Sequence, residues 1–334
     1  MRARFDSLSG EIKIFDKINS HRPSWLTFAG NNQDIFYTIE TEETDGCYGG
    51  GIGLICASDG NLKIKSAINI GAKGPTHLCR AANYLYAACY AEGSLIEAEI
   101  GEDGFTGKIK AFAHKGKSVH PTRQNMPHPH FSLITPDGEY LAVCDLGLDK
   151  IFLYPVDERQ GITGSALTFD APAGVGPRHA VFSPDGHFLY VVCEMGCNIL
   201  TYSYRNGNLS LIDSVSTLPE GDSTPCQCGA IRMNREGTEL FVTNRGPDDI
   251  AFFEIKKDGK LKYNGSVKTG AWPRDAVFSP DGEWILCACQ NSDRIDSFSY
   301  RYSDGSPTKE RVKLVRQNEL YKGSLPCSIL FSNP

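Results

Sequence analysis

GPRHAVFSPDGHFLYVVCE, at residues 176–194, recurs as AWPRDAVFSPDGEWILCACQ at residues 271–290. HPHFSLITPDGEYLAVCDL from His128 and CGAIRMNREGTELFVTNR from Cys228 are looser copies. GPTHLCRAANYLYAACY from Gly74 and SWLTFAGNNQDIFYTIET from Ser24 are weaker ones, and LPCSILFSNP from Leu325 is a closing fragment, which makes seven starts. The turn glycines Gly138, Gly186, Gly237 and Gly282 are 48, 51 and 45 residues apart. Each copy reads strand, tight turn, strand, because in S-P-D-G the proline presets φ and the glycine supplies a positive φ. Two further strand-like runs follow: NILTYSYR and LSLIDSVST after Glu194, and RIDSFSYR and VKLVRQ after Gln290. Four strands with their turns make a repeat of about 50 residues.

Seven such units, with almost no helical periodicity, predict an all-β fold, a seven-bladed β-propeller in which residues 1–334 form one domain. A β-sandwich does not carry seven copies of one motif, and the W-D dipeptide of a common propeller type is absent. The ends share a blade in this reading. ARFDSLSGEIKIFDKINS, from Ala3, aligns with the third and fourth strands of a blade, and LPCSILF supplies its innermost strand. The second strand of that blade is missing from both ends, so the terminal blade is expected to be one strand short, as in an N-terminally truncated chain.

Hydrophobic residues are 40% and charged residues 22% of the chain, ordinary for a globular protein. The net charge of −6, from 34 basic and 40 acidic residues, argues against a nucleic-acid partner. No apolar run approaches the about 18 residues of a membrane helix, and the N-terminus has no apolar signal core, so no membrane partner and a cytoplasmic location are expected. The sequence carries no signal of oligomeric state. Most of the 12 cysteines sit inside apolar strand-like runs such as YVVCE and ILCAC, where a thiol packs as a small hydrophobe. Cys226 and Cys228 are spaced C-x-C, and Cys193 and Cys197 are four apart, but neither couple pairs with a second Cys/His couple along the chain. No metal and no cofactor are expected. Asp145 and Asp149 lack a calcium-loop pattern. The glycine-rich GCYGGGIG from Gly46 is no phosphate cradle, because it does not run from a strand into a helix.

The turn glycines set a register. Eight residues before them lie His130, Arg178, Gly229 and Arg274; eight after them lie Leu146, Glu194, Arg245 and Gln290. Positions equidistant from a hairpin turn face each other, so both sets gather at the open ends of the inner strands, around one channel mouth. The anchors Phe182, Pro184 and Asp185 barely change between the two closest copies, whereas the ring positions diverge toward His, Arg and Glu. Arg178, Arg245 and Arg274 offer guanidinium forks suited to carboxylate or phosphate. Glu194 and His130 can move a proton. The expected catalytic set is His130, Arg178, Glu194 and Arg245, with Arg274, Gln290 and Arg123 binding a small anionic substrate. Arg123 and Gln124 lie in HPTRQNMPHPH, a loop placed to cover the mouth. His179 and His77 are expected to pack between blades rather than bind substrate, because alternation points them away from the channel.

The P-R-H-x-x-F-S-P-D-G copy, Glu194 sixteen residues after Arg178, His130 in the preceding copy, and Asn244–Arg245 together resemble the lactonase family of seven-bladed propellers. That family includes propeller-type 6-phosphogluconolactonases and carboxy-cis,cis-muconate cyclases, and the resemblance runs from Phe5 to Phe331. It implies an enzyme whose catalytic positions in the cyclase branch fall on His130, Arg178, Glu194 and Arg245. The leading expectation is a hydrolase that opens 6-phosphogluconolactone in pentose phosphate metabolism. The alternatives are a muconate cycloisomerase and a non-catalytic interaction scaffold.

Overall fold

A computed structural model describes residues 1–20, 22–30, 34–39, 50–56, 61–102, 104–301 and 308–331. Residues 46–49 of the glycine-rich stretch lie outside them. Among the described residues the protein is all β: 27 strands against one four-residue α-helix, Thr308–Arg311, and one three-residue 3-10 helix, Gln290–Ser292. Five sheets are plain four-stranded antiparallel meanders or their reverse, spanning 26–69, 75–113, 177–216, 227–268 and 273–319. In the sheet spanning 129–170 the outermost strand is split into Gly161–Ile162 and Leu167–Asp170, both paired with Lys150–Asp157. A two-stranded sheet, Arg2–Asp6 with Glu11–Asp16, makes the seventh.

The chain forms two compact units. One holds Asp16–Pro177 with the sheets 26–69, 75–113 and 129–170; the other holds Ala3–Phe15 and Arg178–Phe331 with the N-terminal hairpin and the last three full sheets.

The sequence pattern explains the layering. Second strands such as Glu239–Arg245 and Trp284–Cys289 are buried along their whole length. Both faces are covered, so the second reads as one continuous apolar run and the first carries the apolar stretch Leu240–Val242 at its centre. Alternate residues of one strand serve two neighbours: Leu240 and Val242 pack with Tyr190 and Val192, while Phe241 packs with Ala276, Ile285 and Phe298. Outermost strands such as Val312–Glu319 are mostly exposed and rich in Lys, Arg and Glu, which discourages pairing along an open edge.

The tight turns follow their sequence chemistry. Gly186 has φ 74°, and its N–H donates to the Ser183 carbonyl at 2.9 Å. The Ser183 hydroxyl donates to Asp185 and accepts from the Phe188 N–H. The same set recurs at Ser279, Asp281 and Trp284.

Two expectations need correction. LPCSILF forms no strand. Its N–H groups are engaged by side chains instead: Leu325 N donates to Asp293 and Ile329 N to Asp275, and Pro326 has none to give. Nor do the ring positions oppose each other plainly. Between Pro129↔Asp145 and Phe131↔Cys144, His130 is an extra residue, and Arg274 is extra between Pro273↔Cys289 and Asp275↔Ala288. Thr76 is extra in the same way, and residues 229–230 together face Thr243 alone. A bulge recurs at the ring position, where it re-aims a side chain.

Candidate active site

Arg178 lies on the strand Pro177–Phe182, and Glu194 directly follows Phe188–Cys193. Arg245 closes the strand Glu239–Arg245 of the next sheet. The Arg178 Nε donates to Glu194 Oε2 at 2.8 Å, and Arg245 Nη2 meets the same oxygen at 2.8 Å. All three are buried, Arg178 at 2% exposure and Glu194 and Arg245 at 4% each. The guanidinium groups are also held from behind. Arg178 Nη1 donates to the Gly229 carbonyl at 2.9 Å and to His179 Nε2 at 2.9 Å. Arg245 donates through Nε to the Gln227 carbonyl and through Nη2 to the Cys228 carbonyl, at 3.1 and 2.7 Å. Burial, and then the charge of Arg245, push the Arg178 guanidinium down to about 9, against the pull of Glu194. It stays a cation at neutral pH.

Gly229 is required where it stands. A Cβ there would lie 2.3 Å from Thr243 Oγ1 and 2.8 Å from the Pro273 carbonyl. Two sheets therefore approach closely, and the Gly229 carbonyl stays open to Arg178. Arg274 and Gln290 are half-buried and meet at 3.5 Å, Nη1 to Oε1. The Arg274 charge also acts on Arg178.

Five of the seven expected residues thus fall in one unit: Arg178, Glu194 and Arg245 in direct contact, with Arg274 and Gln290 as a neighbouring pair. His130 and Arg123 belong to the other unit. His130 is buried on the bulge of Pro129–Ile134, with Tyr90 edge-on to its ring at 5.8 Å. Arg123 is half-buried in a loop tied to its own His120, whose Nδ1 accepts the Arg123 N–H at 3.1 Å. Gln124 does not face outward as a substrate contact. It is fully buried, donates to the Leu146 carbonyl and accepts from the His120 N–H, so it holds the loop shut. His77 packs between Trp25 and Phe131, at 4.4 and 4.0 Å, as its place in the alternation predicts. Asp145 and Asp149 are both engaged structurally, Asp145 by His114 Nδ1 at 2.6 Å and Asp149 by the Gly174 and Gly176 N–H groups.

Two features escaped the linear reading. Trp272 lies under the Arg245 guanidinium, 5.2 Å from ring centre to Cζ, and has φ 61°. The matching positions Gly74 and Gly176 are glycines with φ 63° and 66°; the signal was a bulky residue where copies carry Gly. Further, Cys197, Cys226 and Cys228 come together, their sulfurs within 4.8 Å of one another. No linear spacing joins them: Cys197 comes from the turn of one sheet, and Cys226 and Cys228 from the start of the next. Hydrogen bonds from Cys226 and Cys228 pull the Cys197 thiol down to about 4, while burial pushes Cys228 far up.

Consecutive antiparallel meanders with an arginine–carboxylate cluster at the ends of their inner strands define the class: the chain belongs to the lactonase family of seven-bladed β-propellers, which matches residues 1–319. Among its relatives is a 6-phosphogluconolactonase of Bacillus subtilis, 30% identical over 295 residues, covering 86% of this chain and 82% of that one. A 6-phosphogluconolactonase of Formosa agariphila is 29% identical, covering 93% and 91%. The solved structure of a periplasmic gluconolactonase from Pseudomonas aeruginosa is similar with a TM-score of 0.88 at 28% identity, covering 99% of this chain and 94% of that one. Among the described residues no helix is long and apolar enough to cross a membrane.

Proposed function

We propose that the chain hydrolyses a sugar-acid lactone, with 6-phosphogluconolactone as substrate and 6-phosphogluconate as product, a step of pentose phosphate metabolism. The observation that carries this reading is the convergence of two buried guanidinium groups on one carboxylate oxygen, beside a third, half-exposed arginine. Two cations against one anion leave the cluster positive, and Arg274 adds to that, which suits an anionic substrate. The names of the relatives at 30% and 29% identity support the same substrate class.

Water adds to the lactone acyl carbon, the carbonyl oxygen becomes an oxyanion, and the ring C–O bond then breaks. Arg178 and Arg245, already fixed in place, stabilise that oxyanion without reorganising. Glu194 sets the two forks: bonded to both, it acts first as their anchor. Glu194 is also the base we assign to the attacking water, and it returns that proton to the ring oxygen as the C–O bond breaks. Arg274 and Gln290 bind the substrate's phosphate end. The seven sheets are read as the seven blades of one propeller domain, residues 1–334. A cytoplasmic location completes this reading.

The test is acid release from 6-phosphogluconolactone by the purified chain, run beside a cyclisation assay on a carboxylated muconate. Lactone opening well above the spontaneous rate, with no muconate turnover, is the expected result. Muconate turnover alone would move the chain to the cyclase branch.

A further inference from the structure

We propose that Cys197, Cys226 and Cys228 form a three-thiolate site for a thiophilic d10 cation, with Zn2+ the ion to be tested. Their sulfurs lie within 4.8 Å of one another. Sulfurs bound to one zinc through bonds of about 2.3 Å stand just under about 4 Å apart, so a small closing movement completes the set.

The repeats supply an independent argument. In three sheets the left-handed residue of the turn after the second strand is an aspartate: Asp149, Asp248 and Asp293, with φ 52°, 55° and 48°. Asp149 and Asp248 accept N–H groups from the segment that leads into the following sheet, Gly174 and Gly176 for Asp149 and Trp272 for Asp248, and Asp293 accepts those of Gly323 and Leu325, which follow its own sheet. In the sheet spanning 177–216 this place is taken by Cys197, with φ 46°, a conformation that Asp tolerates better than Cys. The second departure lies where Cys197 points. Pro75, Pro129, Pro177 and Pro273 open the first strands of their sheets, and Cys228 stands at the matching position. Two replacements, of different residue types in different sheets, therefore end as thiols facing each other.

The surroundings suit a cation. Asn244 Nδ2 donates to the Thr217 carbonyl and to Asp249 Oδ1, which turns its amide oxygen toward Cys226 and Cys228, at 3.7 and 3.5 Å from their sulfurs. That oxygen stands ready as a fourth ligand. Cys228 is buried, and Cys197 and Cys226 are half-buried, which leaves a side for entry. On binding, each thiol gives its proton to water as its sulfur–metal bond forms. Three thiolates on a divalent ion carry one net negative charge, and the Arg245 guanidinium, 2.7 Å from the Cys228 carbonyl, lies beside it. The Cys228 N–H also donates to the Glu194 carbonyl at 3.1 Å. An ion here braces the backbone behind Glu194 and Arg245 without touching substrate.

The experiment titrates the full chain, reduced with a phosphine and free of chelator, with Co2+. The expected result is a sulfur-to-cobalt charge-transfer band that saturates at about one ion per chain and is lost on adding Zn2+. Cys197→Ser and Cys226→Ser should each weaken binding by about tenfold or more, and Cys56→Ser should leave it unchanged. If a serine variant fails to fold by circular dichroism, the wild-type chain answers instead: Zn2+ should slow alkylation of Cys197 and Cys226, mapped by mass spectrometry. No band at stoichiometric Co2+, an equal band in Cys197→Ser, or alkylation indifferent to Zn2+ would each overturn the proposal.

Discussion

Arg178, Glu194 and Arg245 are three residues with one geometry: removing Glu194 leaves both guanidinium groups buried without their carboxylate, and removing either arginine leaves Glu194 with one of its two partners. Arg178→Ala takes away a fixed donor, so turnover should fall by about 10²–10³, read as kcat on 6-phosphogluconolactone. Arg274 is half-buried and weakly tied to Gln290. Arg274→Ala should raise KM and leave kcat nearly unchanged, the pattern of a group that binds substrate and transition state equally. Trp272 offers a cleaner test, since its φ of 61° suits glycine. Trp272→Gly should leave the melting temperature unchanged or higher and still weaken catalysis, because the ring under Arg245 is gone. A loss of activity that only tracks a loss of fold would contradict a role for that ring.

Sheet by sheet, the strand-turn-strand unit was legible because its turn chemistry is local. Ser183, Pro184, Asp185 and Gly186 satisfy one another whatever surrounds them, and the apolar run after them announces a strand covered on both faces. The bulges at Thr76, His130 and Arg274 were not legible, since an extra residue in one strand shows only against its partner's register. Residues 325–331 misled for a related reason: their pattern matches an inner strand, but Asp275 and Asp293 engage their N–H groups. The Cys197 cluster was hidden because its members come from two sheets. Packing between sheets makes its own prediction. Phe241 is fully buried, with the rings of Phe252 and Phe278 tilted against it at 6.0 and 4.9 Å. Phe241→Ala should lower stability by about 3–5 kcal/mol, seen as a lower urea midpoint with the slope unchanged.

At the scale of the molecule, the N-terminal hairpin is secured within its own unit by the last full sheet. Asn318 accepts the Ile12 N–H at 2.9 Å and donates to the Gly10 carbonyl, the Ile295 carbonyl and the Ser297 hydroxyl, while Trp284 Nε1 donates to the Ser7 carbonyl at 3.0 Å. Asn318→Ala leaves several of these groups unsatisfied and should lower stability by about 1–3 kcal/mol. Hydrogen exchange should rise first at Gly10 and Ile12; protection there equal to the wild type would show that the hairpin is held by other contacts. The chain as a whole is acidic, at −6, while its candidate site is a concentration of arginine. On the proposed reading, that concentration of arginine is what draws an anionic lactone to a chain of net negative charge. The most direct measurement is therefore steady-state hydrolysis of 6-phosphogluconolactone by the wild-type chain, Arg178→Ala and Glu194→Gln, with each protein's fold checked by circular dichroism. Fast opening by the wild type and a loss in kcat of about 10² or more in both folded variants is the predicted result. Wild-type turnover no faster than spontaneous opening, or folded variants as active as the wild type, would contradict the account.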